Sequence, residues 1–308
     1  MINKTGVWCV VLASREIAPG FPEKAPEGPD RSNSSSLITR DPLEEAVRRA
    51  HTLASRASVG AVVSARGDLL RQSPILQLPT ENVFVQPDHH GTAYEVLLAL
   101  LSVSARMSPE TPIIFLPSDH VVSDEEVMTS SLTGMAEWMG REPNKVYLLG
   151  AVPEGPHDQL GYIVPWYDAM NMASDVYEFV EAPDMRQARK LINAGGLWNT
   201  FIFGGTWSSL LALYRPRFDA AISALRAALD KNSDVFDMNA LRSIYDRLTP
   251  ADFSKDLLVP QIHRLSVLRM PRCGWWPLKS PTRHNRLRDN VRSLVGLPPD
   301  GTEASEGR

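Results

Sequence analysis

Short, strongly apolar runs of strand length alternate with amphipathic stretches of helix length through the first half of this 308-residue chain, and no other feature restricts its fold as much. Val7–Ala13 is one such run; Ala61–Ser64, Asn82–Gln86, Pro112–Pro117 and Lys145–Ala151 are the next. Between them, Asp41-Pro42-Leu43-Glu44 opens a helix whose stripe is Leu43, Ala46, Val47 and Ala50, with Asp41 as cap and Pro42 at the first helical position. Thr92–Ala105 and Asp124–Met139 read as the following helices. This β-α-β-α order over about 150 residues predicts a Rossmann-like, mixed and mostly parallel sheet flanked by helices, because parallel strands need crossover helices that cover both faces. Ligands of such sheets bind in loops beyond the carboxyl ends of the strands. The loops after Ala13, Gln86 and Pro117 are therefore the places to look.

The second half changes character. Gly161–Val164, Tyr177–Val180, Phe201–Phe203 and Val267–Met270 read as strands, and Asp184–Ala194, Trp207–Tyr214 and Phe218–Leu229 as helices. Pro19–Ser36 reads as a long loop and residues 298–308 as a disordered tail. No repeat or clean linker divides the chain, so one domain over 1–297 is expected, with a first half to 155 and a second from 156.

Apolar residues at 43% and charged residues at 22% match a globular chain. Lysine and arginine number 32 against 36 aspartate and glutamate, a net charge of −4, which does not favour a nucleic acid or acidic membrane as partner. Cys9 and Cys273 have no metal or redox spacing and suit a reducing compartment; Val7–Ala13 is too short to span a membrane. A cytoplasmic protein is expected. Walker and dinucleotide-binding fingerprints are absent.

Several loop motifs resemble those of the sugar nucleotidyltransferases, in particular the mannose-1-phosphate guanylyltransferases. They are Gln86-Pro87 with Gly91-Thr92-Ala93, Leu116-Pro117-Ser118-Asp119-His120, Gly161-Tyr162-Ile163, Phe179-Val180-Glu181-Ala182-Pro183, Leu197 to Phe203, Asp252-Phe253-Ser254 and Gly274-Trp275, in family order. The resemblance implies transfer of a nucleotidyl group from a nucleoside triphosphate such as GTP to a sugar 1-phosphate, giving an NDP-sugar such as GDP-mannose and pyrophosphate. It implies Asp119 as the catalytic magnesium ligand, and Gln86, Gly91, Thr92 and Ser118 as nucleotide contacts. Gly161, Glu181 and Asn199 would be the sugar contacts. His120 is expected to pack rather than react, and His89-His90 to be solvated loop residues.

The chain departs from the family pattern at charged positions. Its first loop reads Ala13-Ser14-Arg15-Glu16 without early glycines, the Glu-Lys-Pro motif is Glu181-Ala182-Pro183, and Pro277 stands where a second metal-binding aspartate belongs. In-line phosphoryl chemistry depends on charge neutralisation, so these departures bear directly on activity. An enzyme of this type, a non-catalytic sugar-nucleotide-binding homologue and a regulatory or scaffold relative all remain open. The assemblies in view are a homodimer and a pairing with a catalytic homologue.

Overall fold

A computed structural model describes residues 6–13, 42–65, 77–166, 173–215, 217–229 and 238–278. The expectations placed on Asp41, Pro19–Ser36 and residues 298–308 lie outside these. The first half contains β1 (Trp8–Ala13), α1 (Pro42–Leu53), β2 (Val59–Ser64), β3 (Val83–Gln86), α2 (Thr92–Val103), β4 (Pro112–Pro117), β5 (His120–Val121), α3 (Glu125–Arg141) and β6 (Val146–Ala151). The second contains β7 (Tyr162–Pro165), β8 (Ala173–Val180), α4 (Met185–Asn193), β9 (Leu197–Thr206), α5 (Trp207–Ala212), α6 (Asp219–Leu229), α7 (Met238–Tyr245), β10 (Leu265–Met270) and β11 (Trp276–Pro277).

Nine strands form one sheet in the order β3-β2-β1-β4-β9-β6-β10-β8-β7, while β5 and β11 pair separately. Relative to β4, strands β3, β2, β1, β6, β10 and β7 run the same way and only β8 and β9 run against them, so the sheet is mixed and mostly parallel. Along β1 the side chains alternate between two cores. Trp8, Val10 and Leu12 face α2, α5, α6 and α7, whereas Cys9, Val11 and Ala13 face α1, α3 and α4. Burial on both faces is why β1 reads as an unbroken apolar run rather than an alternating one.

Several elements differ from the sequence reading. Strand β9 is ten residues long, not three, because Trp198 and Leu197 add pairs to β7 while Phe203 to Thr206 pair with β4. Helix α7, eight residues long, and the five-residue π-helical turn Ser254–Leu258 are too short for their apolar spacing to announce them. The β5–β11 pair is two residues long and joins segments far apart in sequence, which no local pattern records.

Asp124 caps α3, its carboxylate accepting the N–H groups of Glu126 and Val127. Behind the cap, Arg49 is nearly fully buried and forks onto Glu125 at 2.6 and 2.9 Å, tying α1 to α3. At the centre of the sheet, Phe203 stacks between Phe115 and Phe253 with ring centroids 4.9 and 4.5 Å away. Phe203→Ala is expected to lower the unfolding free energy by about 3–5 kcal/mol, read by urea denaturation, because a void between two stacked rings cannot collapse.

Candidate functional site

Strands β3, β2, β1 and β4 end on one edge of the sheet, with Gln86 opposite Ser64, Ala13 opposite Val63 and Pro117 opposite Leu12. Gln86 closes β3 there. It is 1% exposed, and neither atom of its side-chain amide has a hydrogen-bond partner among the described residues. Leaving a buried polar atom unmatched costs about 1–3 kcal/mol, so such an amide is either a defect or a reader of something that binds.

The turn that follows is fixed by residues far along the chain. Gly91 has φ +93°, and a Cβ there would collide with the Ala251 carbonyl. The Ala251 N–H donates to His90 O at 3.0 Å and the Ala93 N–H to Ala251 O at 3.1 Å. The Thr92 hydroxyl accepts the Phe253 N–H at 2.8 Å and lies 3.4 Å from an Asp252 carboxylate oxygen. Thr92 therefore spends its hydroxyl on this lock. His90 departs from the solvated residue expected, since its ring packs edge-on to Tyr245 with centroids 5.7 Å apart.

At the end of β4, both the N–H and the hydroxyl of Ser118 donate to Leu12 O, at 3.2 and 3.0 Å. Ser118 thus aims the next residue, the half-buried Asp119, from a fixed strand end. The Asp119 carbonyl accepts the Leu278 N–H at 2.8 Å, and the N–H groups of Ser123 and Asp124 both donate to Cys273 O. This clasp sets Pro277 opposite His120 and Trp276 opposite Val121. Trp275 and Trp276 pack against Trp198, His120 and His157, so the wall beside Asp119 is aromatic. Among the described residues no three His, Cys, Asp or Glu side chains gather as metal ligands. Burial, with Arg49 adding repulsion, pushes the His120 pKa well down, which keeps the ring neutral and suits packing.

Gly161, Glu181 and Asn199 do come together. The Asn199 N–H donates to Gly161 O at 2.8 Å, and its side-chain amide reaches Glu181 Oε1 at 3.4 Å and Ser254 Oγ at 3.5 Å. A Cβ on Gly161 would lie 2.7 Å from the Glu181 carboxylate, so the glycine is what lets Glu181 fold in. The Phe201 N–H donates to Asn199 Oδ1 at 3.0 Å, and Phe201 itself is left-handed at φ +59°. Burial raises the Glu181 pKa, opposed by hydrogen bonds from Ser254 and Asn199 and reinforced by the nearby Asp252 charge. Ala182, in the place of the lysine of the Glu-Lys-Pro pattern, is also left-handed at φ +46°.

Ser254 and Asp252 are site residues that the sequence reading did not single out. Their signal was the triplet Asp252-Phe253-Ser254, whose place in the series marked ancestry but not contact. The segment 251–254 links the two groups of candidate residues, meeting His90–Ala93 on one side and Glu181 and Asn199 on the other.

No family model matches the chain. Over 173 residues it is 30% identical to the mannose-1-phosphate guanylyltransferase of Escherichia coli K12, covering 53% of this chain and 34% of that protein. Over 135 residues it is 29% identical to the alginate biosynthesis protein AlgA of Pseudomonas putida, covering 43% and 27%. The matched stretches thus span about a third or less of those relatives. Among solved structures, a Thermus thermophilus protein described as a mannose-1-phosphate geranyltransferase superposes with a TM-score of 0.73 at 20% identity, over 92% of this chain and 79% of that one. A mannose-6-phosphate isomerase from Helicobacter pylori superposes with a TM-score of 0.65 at 16% identity, over 88% and 99%. At such identities the two superpositions establish the fold.

A folded-state pKa raised above the unfolded value means that the unfolded chain ionises first as pH rises. Glu181 therefore weakens the fold progressively above about pH 4.5, its ordinary value, until its own folded pKa is passed. Glu181→Gln should match the parent in acid and gain stability over it towards neutral pH, measured by thermal unfolding across that range. A constant difference at all pH values would contradict the assignment.

Proposed function

We propose that this chain, a member of the sugar nucleotidyltransferase family related to the mannose-1-phosphate guanylyltransferases, binds a nucleoside-diphosphate hexose of the GDP-mannose type and has lost most of the transfer chemistry. The observation that carries the reading is Gln86. An amide that is buried, unmatched among the described residues and set at the carboxyl edge would give donor and acceptor to the edge of a nucleobase on being uncovered. Beyond the 251–254 segment, Glu181 and Asn199 offer a carboxylate and an amide to sugar hydroxyls, with Gly161 letting the Glu181 carboxylate fold in beside Asn199.

The transfer side is poorer. In-line attack on an α-phosphate needs the phosphates aligned and their developing charge neutralised. Ala182 offers no cation, Pro277 no carboxylate, and the aromatic wall of Trp275 and Trp276 offers no charge. One missing electrostatic group costs about 3 kcal/mol, or 100–1000-fold in rate, and several act together without simple addition.

A second reading keeps the reaction, GTP plus mannose 1-phosphate giving GDP-mannose and pyrophosphate. The anchoring of Asp119 by Ser118 favours it, because a strand end held at a neighbouring carbonyl is a preorganised place for a metal-binding carboxylate. In that reading Asp119 is the residue that would hold magnesium, and the ion would neutralise phosphate charge.

Calorimetric titration with GDP-mannose separates these. Saturable binding is expected, weakened by about tenfold or more in Gln86→Ala, since losing a buried hydrogen-bonding amide is worth about 1.5 kcal/mol. A pyrophosphate assay with GTP, mannose 1-phosphate and magnesium should stay at the blank. Turnover abolished by Asp119→Asn would establish the second reading instead. Failure of the parent protein to bind would overturn both.

A further inference from the structure

On the sheet edge opposite Gln86 and Asp119, near the starts of β6 and β10, lies an open groove of about 510 Å³. Its walls include Trp138, Tyr147, Trp166, Ser174, Asp175 and Ser266. Trp166 is 59% exposed, an unusual position for the largest apolar side chain. It is not loose, because the Tyr177 ring meets it edge-to-face at 4.7 Å and its backbone N–H donates to Asp175 O. An indole face is therefore presented to solvent in a set orientation.

The polar groups beside it have capacity to spare. Asp175 uses Oδ1 to accept from Lys145 Nζ at 2.7 Å and Ser266 Oγ at 3.0 Å, leaving Oδ2 without a partner among the described residues. The Ser174 hydroxyl lines the groove beside it. Charge is balanced locally: Asp175 pairs with Lys145, Glu142 lines the wall, and the Arg141 guanidinium lies 5.2 Å from the Trp138 ring. Neither a phosphate nor an ammonium ligand gains from such a site. A ligand with one apolar face and a rim of uncharged hydroxyls does.

We infer that this groove is a carbohydrate-binding site for a neutral pyranose, whose C–H face stacks on Trp166 while its hydroxyls meet Asp175 Oδ2 and Ser174 Oγ. The groove has the size of a small-ligand pocket and could hold a short oligosaccharide. It is separate from the sugar contacts Glu181 and Asn199, because Asn199 pairs with Gly150 near the end of β6, whereas Tyr147 lies near its start.

Ligand-observed saturation-transfer NMR with mannotriose tests the site on the intact protein. Saturable transfer is expected, weakened about tenfold in Trp166→Ala. It should also weaken in Ser174→Ala and persist in the presence of GDP-mannose. Absence of transfer, or transfer unchanged in Trp166→Ala, would overturn the inference. Displacement by GDP-mannose would place the trisaccharide at the proposed nucleotide-sugar site and overturn it too. So would concentration-dependent dimerisation lost in Trp166→Ala without any saccharide effect, which would make the face an interface between copies.

Discussion

Strand β9 hydrogen-bonds to β4, β6 and β7, and the rest of the architecture follows from how one strand can serve all three. Its carboxyl half lies between β4 and β6, which joins the parallel first half of the sheet to the second. Its amino end pairs instead with β7, closing β9-β6-β10-β8-β7 back on itself. Changing neighbours along one strand requires a break in regular pairing, and the register with β6 shifts between Leu148 and Gly150. Asn199 sits at that shift, its side chain satisfying the N–H of the left-handed Phe201. The irregularity that allows the sheet to close is thus the same one that turns Asn199 towards Glu181.

Around this strand the chain holds polar groups in positions that folding alone would not favour. The Gln86 amide is buried without partners among the described residues, and the Glu181 carboxylate sits where burial raises its pKa. Both stand at strand ends, Gln86 closing β3 and Glu181 following β8. Polar groups held against their solvation preference are characteristic of sites that bind or react, although ion-pair networks can produce the same shifts. Here the raised Glu181 is met by an amide and a hydroxyl rather than by a salt bridge.

Much of this was legible in the sequence where physics acts locally. The apolar runs of β1, β4 and β6 and the start of α3 emerge within a residue or two of their structural bounds, since burial on both faces is a local statement and Asp124, where the helix was read to begin, is its cap. The meeting of Gly161, Glu181 and Asn199 was implied by family resemblance, not by spacing. Thr92 shows the limit: a threonine at a helix start reads equally as a ligand contact or a cap, and its real partner is Phe253, about 160 residues away. The β5–β11 clasp was hidden for the same reason. Its effect, an aromatic wall beside Asp119, arises from pairing between two distant dipeptides.

The bridging segment 251–254 has a thermodynamic consequence. It is hydrogen-bonded to the turn at Gly91 and in contact with Asn199, and the steric fit at Gly91 leaves the turn no room to move without it. Under the proposed reading, a ligand group that displaced this segment at the base end would change the free energy of occupying the sugar end. By linkage, the sugar end would then change occupancy of the base end by the same factor. The two halves of a nucleotide sugar would accordingly be sensed as one molecule, with an affinity that its separate fragments do not sum to.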